Sequence, residues 1–278
     1  MIGRDDPRLS DPDGLARKLA EAAGASAAAL LAQRTARDVT LKRDGSPVCS
    51  ADLAADRAAK EALARLLPGF PVVSEETAGD AAPGEVFILL DPLDGTREFL
   101  AGGDSYCVAI ALVSGGRPVA GAIAQPATGR LWFSGTQAHM QDLAADGSLP
   151  GAARRISVRA VPKEGPVALV SRFHGDGRSE SIVAALSSSR EIPVSSAVKF
   201  AMIASGEADL NVRCGQTMEW DIAAGDAILS AAGGIVLTLE GTRPVYGRAG
   251  RGFRNPPFVA ASSEALARRA IAADPRRR

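Results

Sequence analysis

The segment Val86-Phe-Ile-Leu-Leu-Asp91-Pro-Leu-Asp94-Gly-Thr96 narrows the fold more than any other stretch of the chain. Its apolar run predicts a core strand. The strand stops at two carboxylates three residues apart, and Gly95 and Thr96 then open a helix. Acids at a strand end beside a helix N-terminus can hold metal ions next to amides that bind phosphate. Turn chemistry is the plainer alternative. Asp-Pro and Asp-Gly are common turn pairs, and Asp94 could serve only as a cap.

Spacing removes two acidic templates. An EF-hand loop needs acids at alternate positions and a glutamate at its twelfth, where this chain has Gly102 counting from Asp91. An aspartyl-phosphatase of the haloacid-dehalogenase type needs D-x-D, and the spacing here is D-x-x-D. Other acids also stand at element ends. Val72-Val-Ser-Glu75-Glu76 is a short apolar strand running into paired glutamates. Asp52 falls in the first turn of a helix opened by Ser50, where an acid favours the helix dipole. Asp221, in Glu219-Trp220-Asp221, is a good N-cap for the helix after it. Each is ordinary singly; jointly they place acids at several element ends, the usual location of a multi-metal site.

The remaining pattern alternates. Asp11 or Asp13 caps a first helix that sets Leu15, Leu19, Ala22, Ala23, Ala27 and Leu30 on one face. The helix from Ser50 runs to about Leu67 and stops at Pro68-Gly69. Strands are predicted at 71–75, 86–91 and 106–113, and a hairpin joins 119–125 to 130–134. A polar stretch rich in Gly and Pro follows at 141–153. Beyond it strands at 167–171, 192–194, 208–212, 235–239 and 258–261 alternate with helices at 179–186, 196–205, 221–232 and from Ser263. The expectation is an antiparallel-leaning α+β lobe, residues 1–140, and an α/β lobe, residues 141–278.

Composition decides what fills the core and which partners are excluded. Apolar residues are 46% of the 278, but 53 are alanines and only 12 residues are aromatic. The core must therefore be Ala, Val, Leu and Ile. With 32 basic against 32 acidic residues the formal charge is zero, which argues against a nucleic-acid polymer and leaves room for a small anion. Cys49, Cys107 and Cys214 form no CxxC, give neither a disulfide framework nor a zinc site, and fit a reducing cytosol. The charged start lacks the apolar centre of a signal peptide. The longest apolar stretches, 23–32 and 106–113, fall short of the ~20 residues that span a bilayer. A cytoplasmic protein without an integral membrane segment is expected. The basic tail Arg276 to Arg278 reads as frayed and solvated, with weak peripheral membrane association the other reading.

Three motifs together carry a family resemblance: Ser74-Glu75-Glu76, Asp91-Pro-Leu-Asp94-Gly-Thr96 and Trp220-Asp221-Ile-Ala-Ala-Gly. The chain resembles the inositol monophosphatase superfamily of magnesium-dependent, lithium-sensitive phosphatases. DPLDGTREF (91–99), SRFH (171–174), SSAVKF (195–200), TMEWDIAAG (217–225) and RNPPFVA (254–260) look most like its 3'(2'),5'-bisphosphate nucleotidase branch. The similarity runs from about residue 12 to 262. It implies an αβαβα layered sandwich of the inositol monophosphatase and fructose-1,6-bisphosphatase type, with the site between two lobes. It implies Mg²⁺ as cofactor, about two or three ions, held by Glu75, Asp91, Asp94, Asp221 and the carbonyl of Leu93. Asp52 and Thr96 correspond to the pair that orients an attacking water. Where the family carries Thr in SPVTxAD, this chain has Cys49.

Hard oxygen donors suit Mg²⁺, and paired metals can activate water for in-line displacement. The Gly95 and Thr96 amides would cradle the same phosphate. Ser196 and Lys199 fall at i and i+3, so a hydroxyl, a helix start and an ammonium can form a second phosphate site, with Arg213 completing it. The resemblance places these on a 5'-phosphate and His174 near the nucleoside. The implied reaction is hydrolysis of adenosine 3',5'-bisphosphate to AMP and phosphate, serving sulfate assimilation, by a monomer or homodimer. Inositol-1-phosphate or fructose-1,6-bisphosphate phosphatase is the alternative enzyme. An idle nucleotide- or metal-binding regulator is the alternative class.

Overall fold

The computed structural model describes residues 6–35, 38–41, 47–80, 83–173 and 175–277. Helix α1 (Pro12–Ala32) begins where Asp11 accepts the Gly14 amide, and it packs along α2 (Ser50–Leu66). Alanines line the contact, and the Ser26 hydroxyl donates to the Ala55 carbonyl at 2.9 Å across it. Between the helices the short strands β1 (Thr40–Leu41) and β2 (Pro47–Val48) pair antiparallel.

The first large sheet has seven strands in chain order: β3 (Val72–Ser74), β4 (Val86–Asp94), β5 (Cys107–Ser114), β6 (Arg117–Gln125), β7 (Arg130–Ser134), β8 (Ala138–Asp142) and β9 (Arg154–Arg155). Only β3 and β4 run parallel. The last two strands carry this sheet past residue 140, where the sequence places the division between lobes. The second sheet has five strands in the order β11 (Arg190–Val194), β10 (Val167–Ser171), β12 (Leu210–Arg213), β14 (Phe258–Ala261), β13 (Ile235–Thr238). Its first three strands are parallel and the other pairings antiparallel.

Five layers result. Helices α1 and α2 cover the outer face of the first sheet, and α5 (Val198–Ala204) and α6 (Glu219–Ala231) fill the space between the sheets. Helices α4 (Gly177–Ala185) and α7 (Glu264–Ala272) cover the far face of the second sheet. This layering explains the unbroken apolar strands. In β4, Ile88 and Leu90 enter the outer core while Phe87 and Leu89 enter the core between the sheets. In β5, Val108, Ile110 and Leu112 face outward and Ala109, Ala111 and Val113 inward. A strand buried on both faces has no polar side to display. The remaining helix, α3 (Thr96–Leu100), is short and follows β4 directly. Among the described residues, no helix is long and apolar enough to cross a membrane.

Two local expectations are corrected. Helix α6 begins at Glu219 with Met218 as its N-cap, so Asp221 is the third helical residue rather than the cap. Its carboxylate still serves the helix end, because Oδ2 accepts the Met218 amide at 2.8 Å. The tail is docked rather than frayed as far as Arg277: Pro275–Arg277 form a 3₁₀ turn, and the Arg277 guanidinium bonds the Leu239 carbonyl. Arg278 lies outside the described residues.

Candidate active site

The two carboxylates of the D-x-x-D segment are residues of β4 itself, and the register with β5 shifts between them. A bulge at a strand end re-aims side chains, and here Pro92 supplies no amide to the ladder. Asp91 is 1% exposed, and its Oδ1 accepts the Leu93 amide at 3.0 Å. Gly95 then takes a left-handed conformation (φ 95°) that turns the chain into α3. Asp94 does not cap that helix. Its Oδ2 instead accepts the Ala197 amide at 2.5 Å, from the segment between β11 and α5.

The acids implied at other element ends are brought to the same place. Glu75 follows β3 and is half-buried; Asp221 comes from α6. With Asp91, Leu93, Asp94, Gly95 and Thr96 they line a cavity of about 540 Å³, and Ser196, Lys199 and Arg213 line it too. Asp52 does not line it. It stands behind Thr96, 2% exposed, with Oδ1 accepting from Thr96 Oγ1 at 3.3 Å. The same Thr96 hydroxyl is 3.3 Å from the Leu93 carbonyl. Asp52 Oδ2 accepts the Cys49 amide at 2.8 Å and the Cys49 thiol at 2.9 Å, so Cys49 supplies a donor at the family's threonine position. His174 lies outside the described residues.

A backbone amide therefore fixes one oxygen of each of Asp52, Asp91, Asp94 and Asp221. Such amide bonds fix the orientation of each carboxylate. The electrostatics follow. Burial, with the charge of Glu75, pushes the Asp94 carboxyl up to about 6, against the opposing pull of Lys199 and the Ala197 amide. Burial and the charges of Asp94 and Glu75 push Asp221 well above the usual carboxylate range. Burial brings Lys199 down to about 8, opposed by Asp94. Like charges crowded in a low-dielectric site favour protons or a cation, and an all-oxygen donor set suits a hard divalent one. Among the described residues, no three acidic, histidine or cysteine side chains close into an ion site on their own. Mg²⁺ is commonly held by one or two carboxylates, completed by water and substrate oxygens, so the residues present fit such an ion.

The rest of the lining differs in character. Lys199 is 9% exposed, and its Nζ donates to the carbonyls of Ser196 at 2.7 Å and Val194 at 3.3 Å. Ser196 stands before α5 rather than in it, with φ 59°. Aromatic side chains complete the wall: Phe173, 41% exposed, with Trp220 and Phe253, whose ring centroids are 5.8 Å apart.

Residues 13–274 match the inositol monophosphatase family. The chain belongs to the inositol monophosphatase family. Curated relatives in the family include the 3'(2'),5'-bisphosphate nucleotidase CysQ of Escherichia coli K12, 33% identical over 80% of this chain and 87% of that one. The Salmonella typhimurium protein of the same name is 34% identical over 78% and 86%. The crystal structure of CysQ from Bacteroides thetaiotaomicron superposes with a TM-score of 0.73 at 29% identity, covering 88% of this chain and 96% of that one. An IMPase of Thermotoga maritima, 20% identical, has the same fold with a TM-score of 0.75 over 91% and 94%. The chain is thus a phosphatase-family enzyme with the layered fold its motifs imply.

Glu98, Arg172 and Ser195 fall inside the stretches DPLDGTREF, SRFH and SSAVKF, but sequence reasoning gave none of them a role. Glu98 lines the cavity, is 1% exposed, and bonds both of the others. The available signal was an acid on the short segment after Asp94, just before Phe99 and Leu100.

Proposed function

We propose that the enzyme hydrolyses the 3'-phosphate of adenosine 3',5'-bisphosphate, with Mg²⁺, to AMP and phosphate. One observation carries the reading: a single cavity joins a carboxylate cluster, a buried ammonium with a guanidinium, and exposed aromatic surface. A bisphosphorylated nucleoside has a group for each. Inositol phosphate has no apolar ring face for the exposed Phe173. The names of the bacterial relatives support the same substrate class.

Glu75, Asp91, Asp94, Asp221 and the Leu93 carbonyl would hold Mg²⁺. Bound there, the ion supplies Lewis-acid neutralisation of phosphate charge. The chain's own residues do the rest. Thr96 Oγ1 and Asp52 hold a water in line with the scissile phosphorus, and Asp52 takes its proton through the threonine hydroxyl. The Gly95 and Thr96 amides face the phosphate being released. Ser196, Lys199 and Arg213 bind the second phosphate and set the nucleoside against the aromatic wall. Cytoplasmic location and a role in sulfate assimilation belong to the same reading.

Phosphate release in Mg²⁺ from adenosine 3',5'-bisphosphate, inositol 1-phosphate and fructose 1,6-bisphosphate tests it. The nucleotide is expected to give the highest kcat/KM. Faster turnover of inositol phosphate would overturn the substrate assignment while leaving the phosphatase intact.

A further inference from the structure

Glu98 is a buried carboxylate that the chemistry above does not use. It sits on α3, four residues past Asp94. Its Oε1 accepts from Arg172 Nη1 at 2.8 Å, and its Oε2 accepts from the Ser195 hydroxyl at 2.9 Å. Both partners come from the second sheet's connections: Arg172 follows β10 and Ser195 follows β11. Room for the carboxylate depends on residue 103 being glycine, because a Cβ there would overlap the Glu98 carboxyl. A buried charge costs stability unless it is paired and hydrogen-bonded. An apolar residue on α3 would avoid that cost, so the bonds themselves point to its role.

The turn that Glu98 holds is Ser195-Ser196-Ala197. Ser196 has φ 59°, a left-handed conformation that disfavours a residue with a Cβ. Such a conformation persists only where the surroundings over-determine it. Three bonds do so here. Glu98 takes the Ser195 hydroxyl, Asp94 takes the Ala197 amide, and Lys199 Nζ donates to the Ser196 carbonyl. Asp94 and Lys199 have other duties in the proposed site. Glu98 has none.

We propose that Glu98 is a positioning and specificity-determining residue that locks the Ser195–Ala197 turn to the acidic loop. The lock holds Ser196 and Lys199 where a second phosphate on the substrate meets them. This rests on the reading of the cavity as a bisphosphate site. The substrate class that needs the lock is a small molecule with two phosphate groups. A monoester cleaved at the acidic end does not need it.

Steady-state kinetics of Glu98→Gln, Ser195→Ala and Ser195→Thr test the proposal, with adenosine 3',5'-bisphosphate and adenosine 3'-monophosphate as substrates in Mg²⁺. Loss of a hydrogen bond to a charged group predicts that Glu98→Gln and Ser195→Ala raise KM for the bisphosphate about tenfold, with kcat within about twofold. KM for the monophosphate is expected to stay within about twofold, and Ser195→Thr, which keeps the hydroxyl, to recover the bisphosphate KM. Equal rises for both substrates, or no rise for either, would reduce Glu98 to a structural bond and overturn the proposal. Ser195→Ala deletes one hydroxyl, so the test stands even where Glu98→Gln does not fold. A wild-type enzyme that fails to prefer the bisphosphate overturns the underlying reading, and this one with it, before any variant is compared.

Discussion

Replacing Thr96 by valine separates what this side chain does for folding from what it does for catalysis. Valine keeps the β-branch and most of the volume, and removes only the hydroxyl. That hydroxyl lies 3.3 Å from Asp52 Oδ1 and 3.3 Å from the Leu93 carbonyl, both long for an O–H donor. One hydroxyl proton shared between two long contacts at a half-buried position contributes about 1 kcal/mol or less to stability, a shift of about 2–4 °C in Tm for a chain of this size. Catalysis should suffer far more. Asp52 meets the cavity-lining Thr96 through that hydroxyl, and a positioned general base contributes about 10²–10⁴-fold. The expected loss in kcat is about 10²-fold or more, equivalent to about 2.7 kcal/mol. Initial rates of phosphate release at saturating substrate and Mg²⁺, with a thermal melt of the same preparation, measure both quantities. Thr96→Ser should stay within about tenfold of the wild type. A loss in kcat no greater than about fivefold, the equivalent of 1 kcal/mol, would refute the water-orienting role of the pair.

Two further outcomes follow from other groups. Burial, and then the hydrogen bond to Asp52, push the Cys49 thiol up to about 11, so it stays protonated at pH 8; mass spectrometry after iodoacetamide treatment of the native protein should find it unalkylated, and rapid modification would contradict the thiol's placement. The Arg178 side chain holds Asp274 below its ordinary value through bonds of 3.0 and 2.6 Å. A depressed carboxyl stabilises the fold above the unfolded value of about 3.9 and loses that contribution as pH falls through the folded one. Arg178→Ala should cost about 1–3 kcal/mol at pH 7, and its Tm should converge on the wild type's as the pH drops below about 4; a constant gap would show that the pair's charge is not what stabilises the helix α4 to tail contact.

Much of the candidate site was legible because its residues obey short-range rules. Asp91 and Asp94 close an apolar run, Glu75 closes another, and Asp52 and Asp221 stand in first helical turns. What escaped was set by residues distant in the chain. A cap for the helix beside it was the plainer alternative for Asp94, but its oxygen goes to Ala197, 103 residues away. Ser196 read as part of α5 by its i, i+3 spacing with Lys199; the left-handed turn that excludes it is held by contacts from α3 and β4. Asp221 read as an N-cap because Asp is a good one and Met218 is not. A carboxylate at the third helical position reaches back to the same amide, and local preference cannot tell the two apart. The strand order β11-β10-β12-β14-β13 was likewise invisible, since pairing across crossovers leaves no mark on any one strand.

The central claim is that the carboxylates gathered at the end of β4 hold the ion that makes the enzyme work. Asp94→Asn tests it most directly, because the amide oxygen can still accept from Ala197 while the charge is gone. Phosphate release from adenosine 3',5'-bisphosphate in saturating Mg²⁺ is expected to fall about 10³-fold or more with the loss of metal-borne charge stabilisation. Activity retained within about tenfold of the wild type would contradict the account.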